Sequence, residues 1–196
     1  MKKINTTIIF SGMAGSGKST LAREIAKKYG LKYVCGGDIL KEMAKEEGYK
    51  ITGNDWWETA DGIKFLSQRK KNFDFDKRLD AIMLKKAKEG GAAITSWALP
   101  WLGAPGIKIW VDVKQEVRAK RISGRDKIPY EEALELVKTR DKENIALYKK
   151  IYGYTLCPDK KVFDLILDAN AKGVDKLVKE IVGFLESRNV VAKERE

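Results

Sequence analysis

The chain has 196 residues, of which 43% are hydrophobic and 34% are charged, a balance typical of one compact domain. It contains no histidine, which excludes imidazole acid/base catalysis and histidine-built zinc sites and leaves carboxylates, lysines, arginines and a divalent ion for any chemistry. Its formal charge of +11 indicates anionic partners, either nucleic acid or nucleotide phosphates, although lysines that alternate with glutamates along helices are also typical of a solvated surface.

The first residues, MKKINTTIIF, are charged and then apolar, but the apolar run is too short for a signal-peptide core or a membrane span. The two cysteines, Cys35 and Cys157, lack metal-ligand spacing, and two thiols in a chain of this size do not indicate a disulfide scaffold. We therefore expect a cytoplasmic protein in a reducing compartment.

The first two predicted strands each lead into a helix. A β-branched run at 5–11 predicts a strand that is stopped by glycine, and LAREIAKKYG then has helical spacing and closes on Gly30. LKYVC predicts the second strand, and Asp38 is placed to cap the helix ILKEMAKEEG, which ends at Gly48. Strands that alternate with helices indicate a parallel sheet.

The middle of the chain predicts a helical insert. From Thr52 to Gly90 no strand is predicted, and the pattern indicates one or two helices with a break near Asn72. Further strands are predicted at Ala92–Ser96, Ile107–Val113 and Val162–Ala169, which gives five in total.

Three more helices are predicted around the last strands. VKQEVRAKRIS is helical to about Gly124, and Tyr130 to Tyr152 forms a long helix with Pro129 suited to its first turn. GVDKLVKEIVGFLESR closes the chain as an amphipathic helix.

The glycine-rich segment carries the clearest chemistry. It fits the pattern GxxxxGK[ST] and lies between a predicted strand and a predicted helix, a context that argues against a glycine turn that merely caps a helix. Glycines let backbone N–H groups turn inward around phosphate oxygens, Lys18 is expected at the β and γ phosphates, and the Ser19 hydroxyl is expected to ligate Mg²⁺. The predicted donor site consists of Gly12, Met13, Ala14, Gly15, Ser16, Gly17, Lys18, Ser19 and Thr20.

The sequence also resembles the archaeal-type cytidylate kinases, a family of nucleoside monophosphate kinases related to adenylate kinase. The resemblance covers nearly the whole chain and rests on GMAGSGKST, GGDILKEMAKEEG, DFDKRLD and the long block IKIWVDVKQEVRAKRISGRDKIPYEEALELVKTRDKENIALYKKIYG followed by FDLILDA. It implies reversible transfer of the γ-phosphoryl group of ATP to CMP or dCMP, with ATP and Mg²⁺ bound.

The resemblance also implies a fold. We expect an α/β P-loop kinase, a three-layer αβα sandwich with a five-stranded parallel sheet, in which the whole chain 1–196 is a single domain. Within it, 38–90 would form a helical acceptor-binding insert and 121–140 a short helical lid.

Catalytic roles follow from the same resemblance. It implies that Asp38 lies near the magnesium-bound waters and that Arg121, Arg125 and Arg140 close on the transferring phosphoryl group. Spacing alone would favour a solvated i,i+4 pair for Arg121 and Arg125, and for Arg140 an ion pair with a neighbouring Glu or Asp is an equal alternative to the functional role. Phosphoryl transfer needs positive charge and exclusion of water more than a strong base, so a chain without histidine can perform it.

The acceptor side departs from the family, and the residues predicted to bind the acceptor there are Asp38, Lys41, Asp76, Arg78, Asp80, Trp97 and Arg140. Lys41 and Leu147 stand where the family often has arginine, and Thr95-Ser96-Trp97 replaces an acid, a small residue and an arginine. A lysine keeps the positive charge but loses the bidentate fork of arginine. An altered acceptor is therefore an open alternative.

Aromatic and charged residues are candidates for base recognition. Asp76, Arg78 and Asp80 match the insert helix that would approach the cytosine, although an exposed charged helix is the alternative. Trp97 is placed to stack on a base, and Trp56, Trp57 and Trp101 lie in segments expected to face the acceptor, although tryptophans are more often core residues.

Two other functions stay open. One is a P-loop kinase that acts on another nucleotide or on a small molecule other than a nucleotide, and the other is an ATP-binding or RNA-associated module with little kinase activity. For partners we expect nucleotide substrates rather than nucleic acid or a membrane, and a monomer or weak dimer.

Overall fold

The computed structural model describes residues 4–52, 56, 59–71, 73–156 and 160–190, with the side chains of 69–71 and 160 left aside. The strands are β1 (Ile8–Ser11), β2 (Lys32–Cys35), β3 (Ala92–Thr95), β4 (Ile107–Asp112) and β5 (Leu165–Asp168). The helices are α1 (Lys18–Tyr29), α2 (Gly36–Glu46), α3 (Ala60–Lys71), α4 (Asp74–Glu89), α5 (Gln115–Asp126), α6 (Tyr130–Tyr152) and α7 (Val174–Ser187), and a 3-10 turn covers Lys160–Val162.

The strands form one parallel sheet in the order β2-β3-β1-β4-β5. β1 lies at its centre, where Ile8 pairs with Ala93 on one side and with Ile107 on the other. Because all pairs are parallel, the carboxyl ends of the strands meet at one edge of the sheet, which is where ligands bind in open α/β folds.

Alternating side chains of β1 supply two separate cores. Ile8 and Phe10 pack with residues of α1 and α7 such as Ile25 and Ile181, whereas Ile9 packs on the opposite face with Met83 of α4. This alternation follows from the two-residue period of a strand, and it produces the expected three-layer α/β sandwich. Both faces of the central strand are covered, which explains why its four residues are all buried.

Several element boundaries differ from the sequence prediction. α2 already begins at Gly36 with Cys35 as its N-cap, so the prediction that Asp38 caps this helix was wrong. Asp38 lies in the first turn instead, where a carboxylate favours the positive end of the helix dipole. Pro129 precedes α6 as its N-cap rather than lying in its first turn. Val162 belongs to the 3-10 turn and not to β5.

The helical insert consists of two helices, α3 and α4, and the predicted break at Asn72 falls outside the described residues. Trp56 is fully buried against Phe65 in the core on this side of the sheet, so it is a core residue, the alternative to facing an acceptor. Trp57 lies outside the described residues. Across the parts of the chain that the structure describes, no helix combines the length and apolar character needed to cross a membrane.

Candidate active site

The glycine-rich loop joins β1 to α1 at the carboxyl edge of the sheet. Gly12, Gly15 and Gly17 all have positive φ, at 152°, 78° and 89°. A Cβ atom on Gly12 would lie 2.8 Å from the carbonyl oxygen of Val111, so the backbone passes too close to β4 for any side chain. The loop therefore approaches the N-terminus of α1 in the conformation that lets backbone N–H groups surround phosphate oxygens.

Lys18 is the first residue of α1, and its side chain turns back over the loop. Its Nζ donates to the carbonyl oxygen of Met13 at 3.4 Å. The pKa of Lys18 is lowered to about 8, chiefly by burial; electrostatic attraction to Cys35 opposes this effect, and repulsion from the Arg118 guanidinium adds to it. The ammonium group thus lies in the loop at a position where its charge is poorly solvated.

Trp97 lies against the same loop from the exit of β3. Its indole N–H donates to the carbonyl oxygen of Gly12 at 2.9 Å, and its ring centroid lies 5.7 Å from the Lys18 Nζ. Trp97, which stands where the resemblance implies an arginine, therefore lies at the glycine-rich loop. Its predicted stacking on an acceptor base stays a prediction.

Arg118 and Asp141 form a buried ion pair that the sequence analysis missed. The guanidinium binds both carboxylate oxygens of Asp141, at 2.9 and 2.6 Å, and also donates to the carbonyl oxygen of Ala14 at 3.0 Å. Arg118 is only 3% exposed. The pair connects α5 and α6 to each other, and through the Ala14 carbonyl it also connects them to the middle of the glycine-rich loop.

Arg121 reaches the loop from one turn further along α5. It donates to the carbonyl oxygen of Ser16 at 2.9 Å and to that of Ala169, after β5, at 2.5 Å. Burial lowers the pKa of its guanidinium. Arg121 is therefore already at the donor loop, which is the position the resemblance implies for a residue that closes on the phosphates.

The other two arginines of the predicted lid lie around Asp126. Arg125 is exposed and donates to both carboxylate oxygens of Asp126, at 2.5 and 2.6 Å. The pKa of Asp126 is lowered by the hydrogen bonds from Arg125 and by attraction to Arg125 and Arg140. Asp126, at the end of α5, thus interacts with Arg125 beside it and with Arg140 from the middle of α6, and the catalytic roles of both arginines stay predictions.

A groove beside α2 is the candidate acceptor site. It has a volume of about 670 Å³, and it is lined by Asp38, Lys41, Glu42, Lys45, Tyr49, Lys50 and Ile51. A volume of this size lies in the range of small-molecule sites. Two of the predicted acceptor residues, Asp38 and Lys41, therefore line one concave surface, and Lys45 and Lys50 add two positive charges that the sequence analysis did not single out.

The three charged residues proposed for α4 do not act as one set. Asp76 and Asp80 are buried, at 0% and 3% exposure, so an exposed charged helix is wrong for both. Asp80 accepts a hydrogen bond of 2.7 Å from the Tyr152 hydroxyl at the end of α6. Arg78 points outward, where it lies 3.7 Å from a carboxylate oxygen of Glu46 and 4.0 Å from one of Glu47.

The side chains at this edge fit a magnesium ion held mainly by substrate. Ser19 is half-buried in the first turn of α1, and the carboxylate of Asp38 is exposed in the first turn of α2. Within the described ranges, no three Cys, Asp or Glu side chains cluster closely enough to hold a metal ion by themselves. Mg²⁺ in nucleotide sites is bound by one or two protein oxygens together with phosphates, which these residues satisfy.

A central β1, a glycine-rich loop after it and a lysine that opens α1 define the class of P-loop nucleotide-binding proteins with an α/β fold. The family model that matches residues 7–171 is that of the cytidylate kinase-like family, and the chain belongs to this family. Relatives named cytidylate kinase are 30% identical in Ignicoccus hospitalis, 32% in Pyrococcus horikoshii and 33% in Pyrobaculum islandicum. These matches cover 92%, 95% and 92% of this chain and 99%, 93% and 97% of the relatives.

Solved structures show the same fold at low sequence identity. An uncharacterized protein from Eubacterium ventriosum is 19% identical with a TM-score of 0.68, and the match covers 93% of this chain and 99% of that one. A shikimate kinase from Bacteroides thetaiotaomicron is 14% identical with a TM-score of 0.58, over 92% and 98% of the two chains. At these identities the likeness supports the fold alone.

Proposed function

We propose that the protein is a nucleoside monophosphate kinase that transfers the γ-phosphoryl group of ATP to CMP or dCMP and releases the diphosphate. The observation that carries this proposal is the donor loop, where Lys18 and Arg121 converge on one glycine cradle in a chain that belongs to the cytidylate kinase-like family. Mg²⁺, bound through Ser19 and Asp38, would neutralise charge on the phosphates.

The donor half of the reaction uses groups that already surround the loop. Backbone N–H groups of residues 12–18 and the positive end of α1 bind the phosphate oxygens, and the Lys18 ammonium neutralises charge that develops between the β and γ phosphates. Arg121, which donates to the Ser16 carbonyl, would contact the adjoining phosphate. Arg125 would join them after it exchanges Asp126 for the transferring phosphoryl group.

The acceptor half requires no general base. The attacking atom is an oxygen of the CMP phosphate, which is already ionised at neutral pH, so no proton has to be removed when its bond to the γ phosphorus forms and the bond to the β-γ bridging oxygen breaks. This explains how a chain without histidine can perform the reaction. Lys41, Lys45 and Lys50 in the groove beside α2 supply the charge for the acceptor phosphate.

The acceptor is tested by direct assay. The purified protein is incubated with ATP, Mg²⁺ and one nucleoside monophosphate at a time, namely CMP, dCMP, UMP, AMP or GMP, and the products are resolved by chromatography. We expect diphosphate formation with CMP and dCMP. Turnover only with another monophosphate would favour an altered acceptor, in line with Lys41, Trp97 and Leu147 at positions where arginines are expected. No diphosphate from any acceptor would exclude this activity.

The donor site is tested by Lys18→Ala. Because the alanine removes the positive charge between the β and γ phosphates, we expect turnover to fall by at least about a hundredfold, the loss typical of one preorganised transition-state contact. Lys27→Ala is the matched control, since Lys27 is exposed near the other end of α1. Circular dichroism checks that both variants are folded. Wild-type turnover in the Lys18 variant would refute the site assignment.

A further inference from the structure

We propose that Trp97 is a positioning residue for ATP binding, which fixes the first carbonyl of the donor loop and holds the Lys18 ammonium in place through the face of its indole ring. The inference deepens the proposed function and rests on it only in taking ATP as the donor. It gives a role in the donor site to a residue that the sequence analysis had placed on the acceptor side.

Two contacts on one side chain support this role. The indole N–H donates to the Gly12 carbonyl at 2.9 Å, and Gly12 is the residue whose unusual φ and close approach to Val111 set the course of the loop. The Lys18 Nζ lies 5.7 Å from the ring centroid, within the range of a cation–π interaction. One side chain therefore contacts both the backbone and the cation of the phosphate cradle.

The segment that carries Trp97 and the neighbouring Tyr148 hold the indole ring in this position. The Ser11 hydroxyl donates to the Ser96 carbonyl, and the Ser96 hydroxyl accepts from the backbone N–H groups of Ala98 and Leu99 at 3.2 and 3.3 Å. These bonds fix the backbone on both sides of Trp97. Tyr148 of α6 then packs edge-to-face against the indole, with centroids 6.1 Å apart. The rotamer of Trp97 is thus determined by β1, β3 and α6 together.

The chemistry explains why an aromatic ring suits this place. Lys18 already experiences repulsion from the Arg118 guanidinium, and a second guanidinium at position 97 would add to it. The negative face of an indole attracts the ammonium without competing for the phosphate oxygens that Lys18 must bind. Trp97 thereby keeps the charged lysine oriented towards the loop when no phosphate is present.

The test is a double-mutant cycle on ATP affinity. Calorimetry measures the Kd of a non-hydrolysable ATP analogue with Mg²⁺ for wild type, Trp97→Leu, Lys18→Met and the double variant. In the wild-type background we expect Trp97→Leu to raise the Kd by about tenfold or more. In the Lys18→Met background the same substitution should raise the Kd by a factor about three to ten times smaller, because the contact with the ammonium is already lost there. Equal losses in the two backgrounds would overturn the inference.

Two further variants separate the contacts. Trp97→Phe keeps a ring above Lys18 but removes the indole N–H, and we expect affinity to fall by about three- to tenfold through the bond to Gly12. Wild-type affinity in Trp97→Phe would refute the loop-fixing role. If Trp97→Leu does not fold, Trp97→Met replaces it in the double-mutant cycle. Phe184→Leu, which removes a ring that contacts the Arg188 guanidinium at the end of α7, is the matched control and should bind within about twofold of wild type. Binding is measured without CMP, so failure of the CMP assay leaves this test intact.

Discussion

At the scale of single residues, Lys18 combines a binding role with an unfavourable environment. Its pKa is lowered to about 8, chiefly by burial, so the folded protein binds this proton less tightly than the unfolded chain with its ordinary value of 10.5. The charged lysine therefore costs stability at neutral pH, and this cost disappears as the pH rises from 8 towards 10.5. In the proposed function, the phosphates of ATP would compensate for the lost solvation, which would couple ligand binding to protonation of Lys18.

This coupling predicts a pH dependence of ATP affinity. Phosphates favour the charged lysine, so binding above pH 8 requires uptake of a proton, and the Kd should rise by about tenfold per pH unit there while staying nearly constant between pH 7 and 8. Calorimetry with a non-hydrolysable ATP analogue from pH 7 to 9.5 measures this. Lys18→Arg stays charged throughout and should show a flat profile, though with weaker binding. A flat wild-type profile would contradict the assignment.

At the scale of secondary-structure elements, α5 and α6 form a support behind the donor loop. Arg118 and Asp141 lie on the facing buried sides of the two helices, and the guanidinium also binds the carbonyl of Ala14. Removing one partner of such a pair leaves a buried charge uncompensated. The pair therefore matters both for the stability of the helix hairpin and for the shape of the loop.

These two effects can be separated. Asp141→Leu should lower the free energy of unfolding by about 3–5 kcal/mol, because it strands the Arg118 charge, whereas the double variant Arg118→Met/Asp141→Leu should recover most of that loss. ATP affinity should stay reduced in the double variant, since the Ala14 carbonyl has lost its donor. Urea unfolding and calorimetry measure the two quantities. Full recovery of ATP affinity would show that the pair acts on stability alone.

The sequence was sufficient to predict the elements but not what the charged residues face. The five strands and the main helices follow from local periodicity, and the donor loop follows from its motif and context. The burial and the bonding partners of Asp80 and Asp141 could not be predicted, because they depend on contacts between segments that are distant in sequence. A signal was nevertheless present, because Asp141 continues the buried spacing of Ala133 and Val137, which points to a paired charge inside the fold.

At the scale of the whole molecule, a polar contact joins α4, in the predicted acceptor insert, to α6. The Tyr152 hydroxyl at the end of α6 donates to the buried carboxylate of Asp80 on α4, although the two residues are 72 positions apart in sequence. Burial and the Asp80 charge raise the pKa of Tyr152, so this donor stays protonated across the working pH range. The bond thus links α6, which begins inside the predicted lid segment, to α4, which belongs to the predicted insert.

Loss of this link should destabilise the fold without weakening the donor site. Tyr152→Phe removes a hydrogen bond to a charged group, which contributes about 1.5–3 kcal/mol, and at about 2–4 °C per kcal/mol for a chain of this size the melting temperature should fall by roughly 3–12 °C. ATP affinity should stay within about twofold of wild type, because this hydroxyl bonds to α4 and not to the glycine loop. Tyr130→Phe, at the opposite end of α6, controls for loss of a phenol from the same helix and should leave the melting temperature nearly unchanged. An unchanged melting temperature in Tyr152→Phe would show that the insert is held by packing alone.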